Sequence, residues 1–359
     1  MDFEPACERM EWLDPFYKSV WRKAFDEGIP ISGTFELTPR CNFNCKMCYV
    51  HLKENEIPKY GRELTADEWI RIAREAKEAG TAWLCITGGE PLLHPEFSKI
   101  WKELSKMGFF LTLQTNASLI NGEIIKLFEQ YPPRQVKITL YGTNDEVYEA
   151  VCGIKNGFTH VNDGIHTLMS MNIPVALVST IIEQNEKDAQ NMAFYAYLHQ
   201  LPWISTISVK DSKRHNGINV SSLQVFDKLK QGWKNGVRKC FDEGKLYKKN
   251  QKPCTYCRDY RIGYWILWDG SMRFCSFMNE PDISIRDISF TNAWQQLLEY
   301  ENKLEWPIKC QSCEAFSVCA KCAAIIMNQI ENDYYCQIIQ TEYKQIKKEE
   351  RGRDKNDTR

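Results

Sequence analysis

Cys41-Asn-Phe-Asn-Cys45-Lys-Met-Cys48 sets three thiols in one short loop with the spacing C-x3-C-x2-C. Thiolates this close can wrap a single iron–sulfur cluster, since such clusters are held by cysteine sulfur. Three ligands on a [4Fe–4S] cube leave one iron open to a substrate or cofactor. The competing arrangement is a zinc knuckle completed by His51. Structural zinc is closed and four-coordinate, and its cysteines usually come as C-x2-C pairs, so the x3 spacing fits it poorly. A second thiol-rich region reads Cys254-x2-Cys257, Gly270-x4-Cys275, Cys310-x2-Cys313-x5-Cys319-x2-Cys322 and finally Cys336. These eight cysteines satisfy two four-cysteine clusters with none left over. Two zinc ribbons would pair locally and leave Cys275 and Cys336 unexplained. The chain has 15 cysteines and no secretion signal, which argues for metal rather than disulfides. The other four, Cys7, Cys85, Cys152 and Cys240, read as buried or incidental thiols.

Chemistry of this kind needs elements that bring distant loops to one place. From about residue 32 to 208, short apolar runs (GTFEL, AWLCITG, FFLTLQT, QVKITLYG, PVALVST and WISTISV) alternate with amphipathic stretches. Thr65-Ala66-Asp67-Glu68 is a capping box ahead of Trp69, Ile72 and Ala76. Further helices are expected over Glu96–Met107, Gly122–Gln130, His160–Met171 and Glu186–Gln200. Six strands alternating with helices indicate a parallel α/β sheet, and in such folds the site lies at the carboxyl ends of the strands. Thr87-Gly88-Gly89-Glu90-Pro91 ends the second strand, where the glycines permit close backbone approach and unusual dihedrals. Glu90 supplies an acceptor for an ammonium group. Gln114-Thr115-Asn116 ends the third strand, Thr139-Leu140-Tyr141-Gly142 the fourth, and Ser179-Thr180 the fifth.

The cysteine loop after strand one and the Gly-Gly-Glu-Pro segment after strand two resemble the radical SAM superfamily. The resemblance implies a partial (β/α)6 barrel and a [4Fe–4S] cluster on Cys41, Cys45 and Cys48 that binds S-adenosylmethionine (SAM). It also implies that Gly88, Gly89, Glu90 and Pro91 receive the SAM amino group. Met47 stands where the family usually has an aromatic residue, and its backbone would meet the adenine. Asn116, Thr139 and Ser179 would contact the ribose or carboxylate, and Tyr141 would face the substrate. The distal cysteines are similar to the SPASM extension of that family, with Cys257-x12-Gly270 fitting its first half. By that likeness one auxiliary cluster takes Cys254, Cys257, Cys275 and Cys322, and the other Cys310, Cys313, Cys319 and Cys336. The spacing before Cys322 is x2 where the family has x3. Together the motifs run from about residue 32 to 337.

The expected organisation is an N-terminal extension (1–31), a radical SAM core (32–215), a helical bridge (216–253), an auxiliary-cluster domain (254–340) and a charged tail (341–359) whose last stretch, 347–359, is unstructured. Tyr264–Trp268, Asp269-Gly270 and Ser271–Cys275 read as a hairpin with a two-residue turn. Lys and Arg total 46 against 47 Asp and Glu, so no overall charge draws the chain to nucleic acid or an anionic membrane. No apolar run approaches the roughly 20 residues that span a bilayer. The acidic N-terminus has none of the features of a signal peptide, and a cytoplasmic location is expected.

The family resemblance implies reductive SAM cleavage to a 5′-deoxyadenosyl radical and two-electron oxidation of a peptide or protein side chain. A flavodoxin or ferredoxin would be the electron donor. Ser276 replaces the aspartate that follows the corresponding cysteine in anaerobic sulfatase-maturating enzymes, which disfavours that activity. About 40 residues precede Cys41, too few for a leader-binding winged helix, so a separate leader-recognition protein or direct docking is expected. The basic run Lys210–His215 is a candidate contact for an acidic peptide or a substrate carboxylate. A small-molecule dehydrogenase or epimerase would share these motifs. A zinc-binding or electron-transfer protein would have no use for Gly-Gly-Glu-Pro beside an open cysteine triad.

Overall fold

The computed structural model describes residues 14–356 apart from 208, 210–222, 224, 245–247, 258, 279, 320–321 and 325–332. Cys7 and the basic run at 210–215 lie outside the described residues. The six expected strands form as β1 (Ser32–Glu36), β2 (Trp83–Thr87), β3 (Phe110–Thr115), β4 (Gln135–Thr139), β5 (Val175–Thr180) and β6 (Trp203–Thr206). They pair in parallel and in chain order. Parallel crossovers share one hand, so an order without reversal sends every connecting helix to the same face. The sheet curls around its other face as a partial (β/α)6 barrel.

The helices are α1 (Pro15–Glu27), α2 (Ile57–Tyr60), α3 (Ala66–Glu78), α4 (Phe97–Lys106), α5 (Gly122–Gln130), α6 (Asp145–Cys152), α7 (Gly157–Ser170) and α8 (Ala189–Leu198), followed by α9 (Phe226–Asp242) and α10 (Phe290–Lys303). The α3 capping box is complete: Glu68 N–H donates to Thr65 Oγ1 at 3.3 Å and Thr65 N–H to Glu68 Oε2 at 2.8 Å. Burial alternates along the strands, as a period of two requires. Phe35, Leu84, Ile86, Leu111, Leu113, Val136, Ile138 and Leu177 are buried, and Phe35 meets the Trp69 ring of α3 at 4.8 Å between centroids. The intervening positions face the barrel interior.

Three features depart from expectation. Strand β7 (Gly263–Ile266) opens the cysteine-rich part, yet it pairs in parallel with β1 and extends the barrel sheet. Strands β8 (Ser271–Arg273) and β9 (Ile283–Ser284) then continue it antiparallel. The β7–β8 turn is one residue longer than Asp-Gly alone: Trp268, Asp269 and Gly270 form the loop, and Gly270 N–H donates to Leu267 O at 2.9 Å. Gly270 has φ +88°, the bulge conformation that three-residue hairpins use. The charged end of the chain, expected to be unstructured, is helical from Asp333 to Asn356. Among the described residues, no helix is long and apolar enough to cross a membrane.

Candidate active site

A cavity of about 210 Å³ opens at the carboxyl ends of the barrel strands. Each of the six strands sends a polar residue to it, from β1 to β6: Glu36, Thr87, Gln114, Thr139, Thr180 and Thr206, with Thr115 as a second from β3. The loop after β1 adds Cys41, Cys45 and Cys48 together with Phe43, Met47 and Tyr49. Gly88, Gly89, Asn116 and Tyr141 complete the wall among the residues singled out from sequence. Gln114 and Thr180 were expected only as strand ends, with no role, and Glu36 and Thr206 were not expected at the site. Their signal is parity, because each shares the interior face of its strand with the others.

The glycines act on protein rather than through unusual dihedrals, as neither Gly88 nor Gly89 has positive φ. A Cβ on Gly88 would stand 2.7 Å from Thr38 O, and one on Gly89 2.4 Å from Arg40 O. Gly89 N–H donates to Thr38 O and Glu90 N–H to Arg40 O, both at 2.7 Å. The segment after β2 is thus laid directly on the backbone leading into the cysteine loop.

Glu90 lies beneath the cavity rather than in its wall and is fully buried. Its carboxylate accepts from Thr115 Oγ1 at 2.7 and 2.8 Å, Asn116 N–H at 2.8 Å and Leu92 N–H at 3.1 Å. Burial pushes its pKa up to about 7 against the pull of these donors. Asn116 in turn donates from Nδ2 to Asn42 Oδ1 of the cysteine loop at 2.9 Å. Pro91 opens the turn that follows Glu90 and is buried outside the wall. Ser179 points to the other face of β5, donating to Leu140 O at 2.6 Å and accepting from Trp203 Nε1 at 2.8 Å. Thr180, its neighbour, lines the cavity in its place.

The chemistry of the triad suits a metal cluster. Burial raises the pKa of Cys41 and Cys48, the latter to about 11, and the neighbouring thiolates add to it; Cys45 is raised first by the Cys152 side chain and then by burial. A cationic cluster among them would remove that penalty. His51 is outside the cavity wall, and its backbone N–H donates to Cys48 Sγ at 3.3 Å. Tyr141 lines the wall, and burial raises its phenol pKa first, then the nearby cysteines.

Residues 35–196 match the radical SAM superfamily. This chain carries a radical SAM domain. It is 26% identical over 207 residues to the PqqA peptide cyclase of Bradyrhizobium diazoefficiens, covering 57% of this chain and 48% of that protein. It is 28% identical over 169 residues to the sporulation killing factor maturation protein SkfB of Bacillus subtilis, covering 47% and 40%. The chain therefore spans about half the length of the curated relatives it matches. The fold resembles Streptococcus suis SuiB bound to S-adenosylmethionine, with a TM-score of 0.67 and 15% identity over 92% of this chain and 86% of SuiB. SuiB bound to its precursor peptide SuiA gives a TM-score of 0.65 at 14% identity over 88% and 79%. The likeness thus extends well beyond the radical SAM domain into the cysteine-rich part.

In that second part, Cys254 is buried, and its thiol pKa is raised by a hydrogen bond with Cys257, then by burial, with Glu301 and Cys275 adding to it. Cys257, Cys275 and Cys322 pack against the main core. Cys313 and Cys319 pack instead against a small separate cluster of Val237, Ala315, Val318, Ile339 and Ile346. Gln340 Nε2 donates to Cys313 Sγ at 3.8 Å from the C-terminal helix that also carries Cys336. Among the described residues, no group of three or more His, Cys, Asp or Glu side chains is gathered as metal ligands are.

Proposed function

We propose that this chain holds a [4Fe–4S] cluster on Cys41, Cys45 and Cys48, cleaves SAM there and oxidises a peptide or protein side chain. The observation that carries the reading is the single cavity in which the triad, the Gly88–Gly89 segment and the interior strand ends converge. Given one electron, the cluster and SAM supply a 5′-deoxyadenosyl radical that abstracts a hydrogen atom. The chain's own residues bind, orient and exclude water. Glu90 fixes the Asn116 backbone and, through Asn116 and Asn42, the cysteine loop. This holds the wall that the SAM amino group and ribose meet at Gly88, Gly89, Asn116 and Thr139. The Met47 backbone is assigned to the adenine, and Tyr141 faces the substrate.

The auxiliary clusters are assigned to Cys254, Cys257, Cys275 and Cys322, and to Cys310, Cys313, Cys319 and Cys336. Cys322 packs against the same main core as Cys257 and Cys275, and Cys313 and Cys319 against the separate small cluster, which supports this division. Their duty is to take the second electron from the substrate radical, with a flavodoxin or ferredoxin supplying the first. A peptide substrate is favoured by the relatives that are a peptide cyclase and a sporulation killing factor maturation protein, and by the SuiB fold seen with its precursor peptide.

The test is anaerobic incubation with SAM, dithionite and candidate precursor peptides from the same locus, read by mass spectrometry. The expected result is 5′-deoxyadenosine together with a peptide that has lost two hydrogens. Conversion of a metabolite with SAM regenerated, and no altered peptide, would replace this reading with an epimerase.

A further inference from the structure

Cys152 stands 104 positions beyond Cys48 in the chain and belongs to no motif. The structure brings it to the triad. It is the last residue of α6 and fully buried, and its side chain lies beside that of Cys45. The backbone fixes this contact from both sides. Asn44 N–H donates to Cys152 O at 2.9 Å and Lys46 N–H to Val151 O at 3.0 Å, so the residues flanking Cys45 are both tied to the end of α6. These are carbonyls that a helix terminus leaves without intrahelical partners. The other end of α6 is held by Asn144 Oδ1, which accepts from Val147 N–H at 2.9 Å. Tyr148 anchors the middle, accepting from Tyr141 N–H at 3.2 Å and donating to Thr139 O at 3.3 Å. Cys152 is not in the cavity wall. Outside that wall, it is placed to support a ligand rather than to close the open iron.

We propose that the Cys152 thiol donates a hydrogen bond to the Cys45 sulfur when Cys45 ligates the cluster, and thereby raises the potential at which that cluster accepts its electron. Reduction adds negative charge that is shared with the ligating sulfurs, and a donor to one of them stabilises the reduced form more than the oxidised form. The low polarity around α6 leaves the effect poorly screened. The proton stays on Cys152 and no bond is made or broken. Cys152 is then a positioning residue, acting through Cys45. The inference rests on the radical SAM reading.

The test uses the full chain, anaerobically reconstituted. The SAM-site cluster is first identified in the wild type as the reduced-state EPR signal that changes when SAM is added. A protein with no such signal fails the radical SAM reading itself and takes this proposal with it. Potentiometric EPR titration then compares Cys152→Ala with Cys152→Ser, which keeps a donor. In Cys152→Ala the reduced-to-oxidised ratio at a fixed potential is expected to fall about tenfold, or 59 mV for a one-electron couple. Cys152→Ser is expected to stay within about threefold of the wild type. After exchange into heavy water, deuterium ENDOR should show a deuteron coupling in the wild type and in Cys152→Ser that is lost in Cys152→Ala, over the backbone-amide couplings at Cys41 and Cys48 that all three share. A wild-type potential in Cys152→Ala, or equal shifts in both variants, would overturn the proposal in favour of simple packing. Loss of iron from the triad in both variants would overturn it in favour of a ligand or folding role.

Discussion

Glu90 shows at the level of one residue how burial and hydrogen bonding compete. Its donors favour the carboxylate, yet full burial lifts the pKa from 4.5 to about 7. A folded-state value above the unfolded one means that the folded protein binds the proton more tightly. The contribution is therefore complete below pH 4.5 and is lost as pH rises through 7. In the cluster-free protein this group should reduce unfolding free energy by about 3 kcal/mol across that window. Urea titrations at successive pH values should show Glu90→Gln flattening that segment; an unchanged slope would refute the assignment. Gly89 gives a sharper residue-level expectation. An added methyl would meet Arg40 O at 2.4 Å, and backbone has little room to yield. Gly89→Ala should cost roughly 2–4 kcal/mol and lower iron retention at the triad, measured by thermal unfolding and metal analysis after reconstitution.

Among the elements, β5 separates structural from site residues by parity alone. Ser179 satisfies Trp203 Nε1 and Leu140 O on the helix-facing side. Thr180, one residue on, lines the cavity. Ser179→Ala should lower stability by about 1–3 kcal/mol, the cost of leaving a buried donor unpaired, with SAM affinity unchanged. Thr180→Val should leave stability within about 0.5 kcal/mol and weaken SAM or peptide binding roughly three- to tenfold. Paired urea curves and equilibrium binding decide between them, and the reverse pattern would show the faces to be exchanged. Helix α1 also belongs to this scale. Its signal was present in Asp14-Pro15 and Gly28: the Asp14 side chain accepts from Phe16 N–H and Gly28 takes the left-handed cap. Helix α6 was equally legible in Asn144 and Gly153, its two caps.

For the whole molecule, the cysteine-rich part and the barrel are joined through one sheet. Tyr264 of β7 covers Gly33 of β1 so closely that a Cβ there would lie 2.3 Å from its ring, and its hydroxyl lies 3.1 Å from Thr81 Oγ1. A fragment ending at residue 253 would expose the β1 edge and this buried surface. It should fail to unfold cooperatively by circular dichroism, although it holds every radical SAM motif. Metal content tests the same scale. Three cubane clusters require about twelve irons and twelve sulfides per chain. Replacing Cys41, Cys45 and Cys48 by Ala should leave about eight irons, because the auxiliary cysteines are a separate set of eight residues from 254 to 336. Stoichiometric zinc in the wild type would contradict the cluster assignments.

The sequence by itself determined what depends on local pattern. Periodicity located all six barrel strands and the capped helix at Thr65, and cysteine spacing marked the triad, because ligand geometry and hydrogen-bonding period are short-range properties. It also marked Gly88 and Gly89, though not what they approach: that is the backbone at Thr38 and Arg40, known only once β1 and β2 are paired. Tertiary structure alone decided which side of a strand faces the cavity. An isolated run such as PVALVST, apolar with a polar end, does not say whether Ser179 or Thr180 turns inward; that follows from register against β4 and β6. Nor could spacing connect Cys152 to Cys45, or β7 to β1. Those contacts join segments far apart in the chain, and only the curl of the sheet and the seating of α6 on the cysteine loop bring them together.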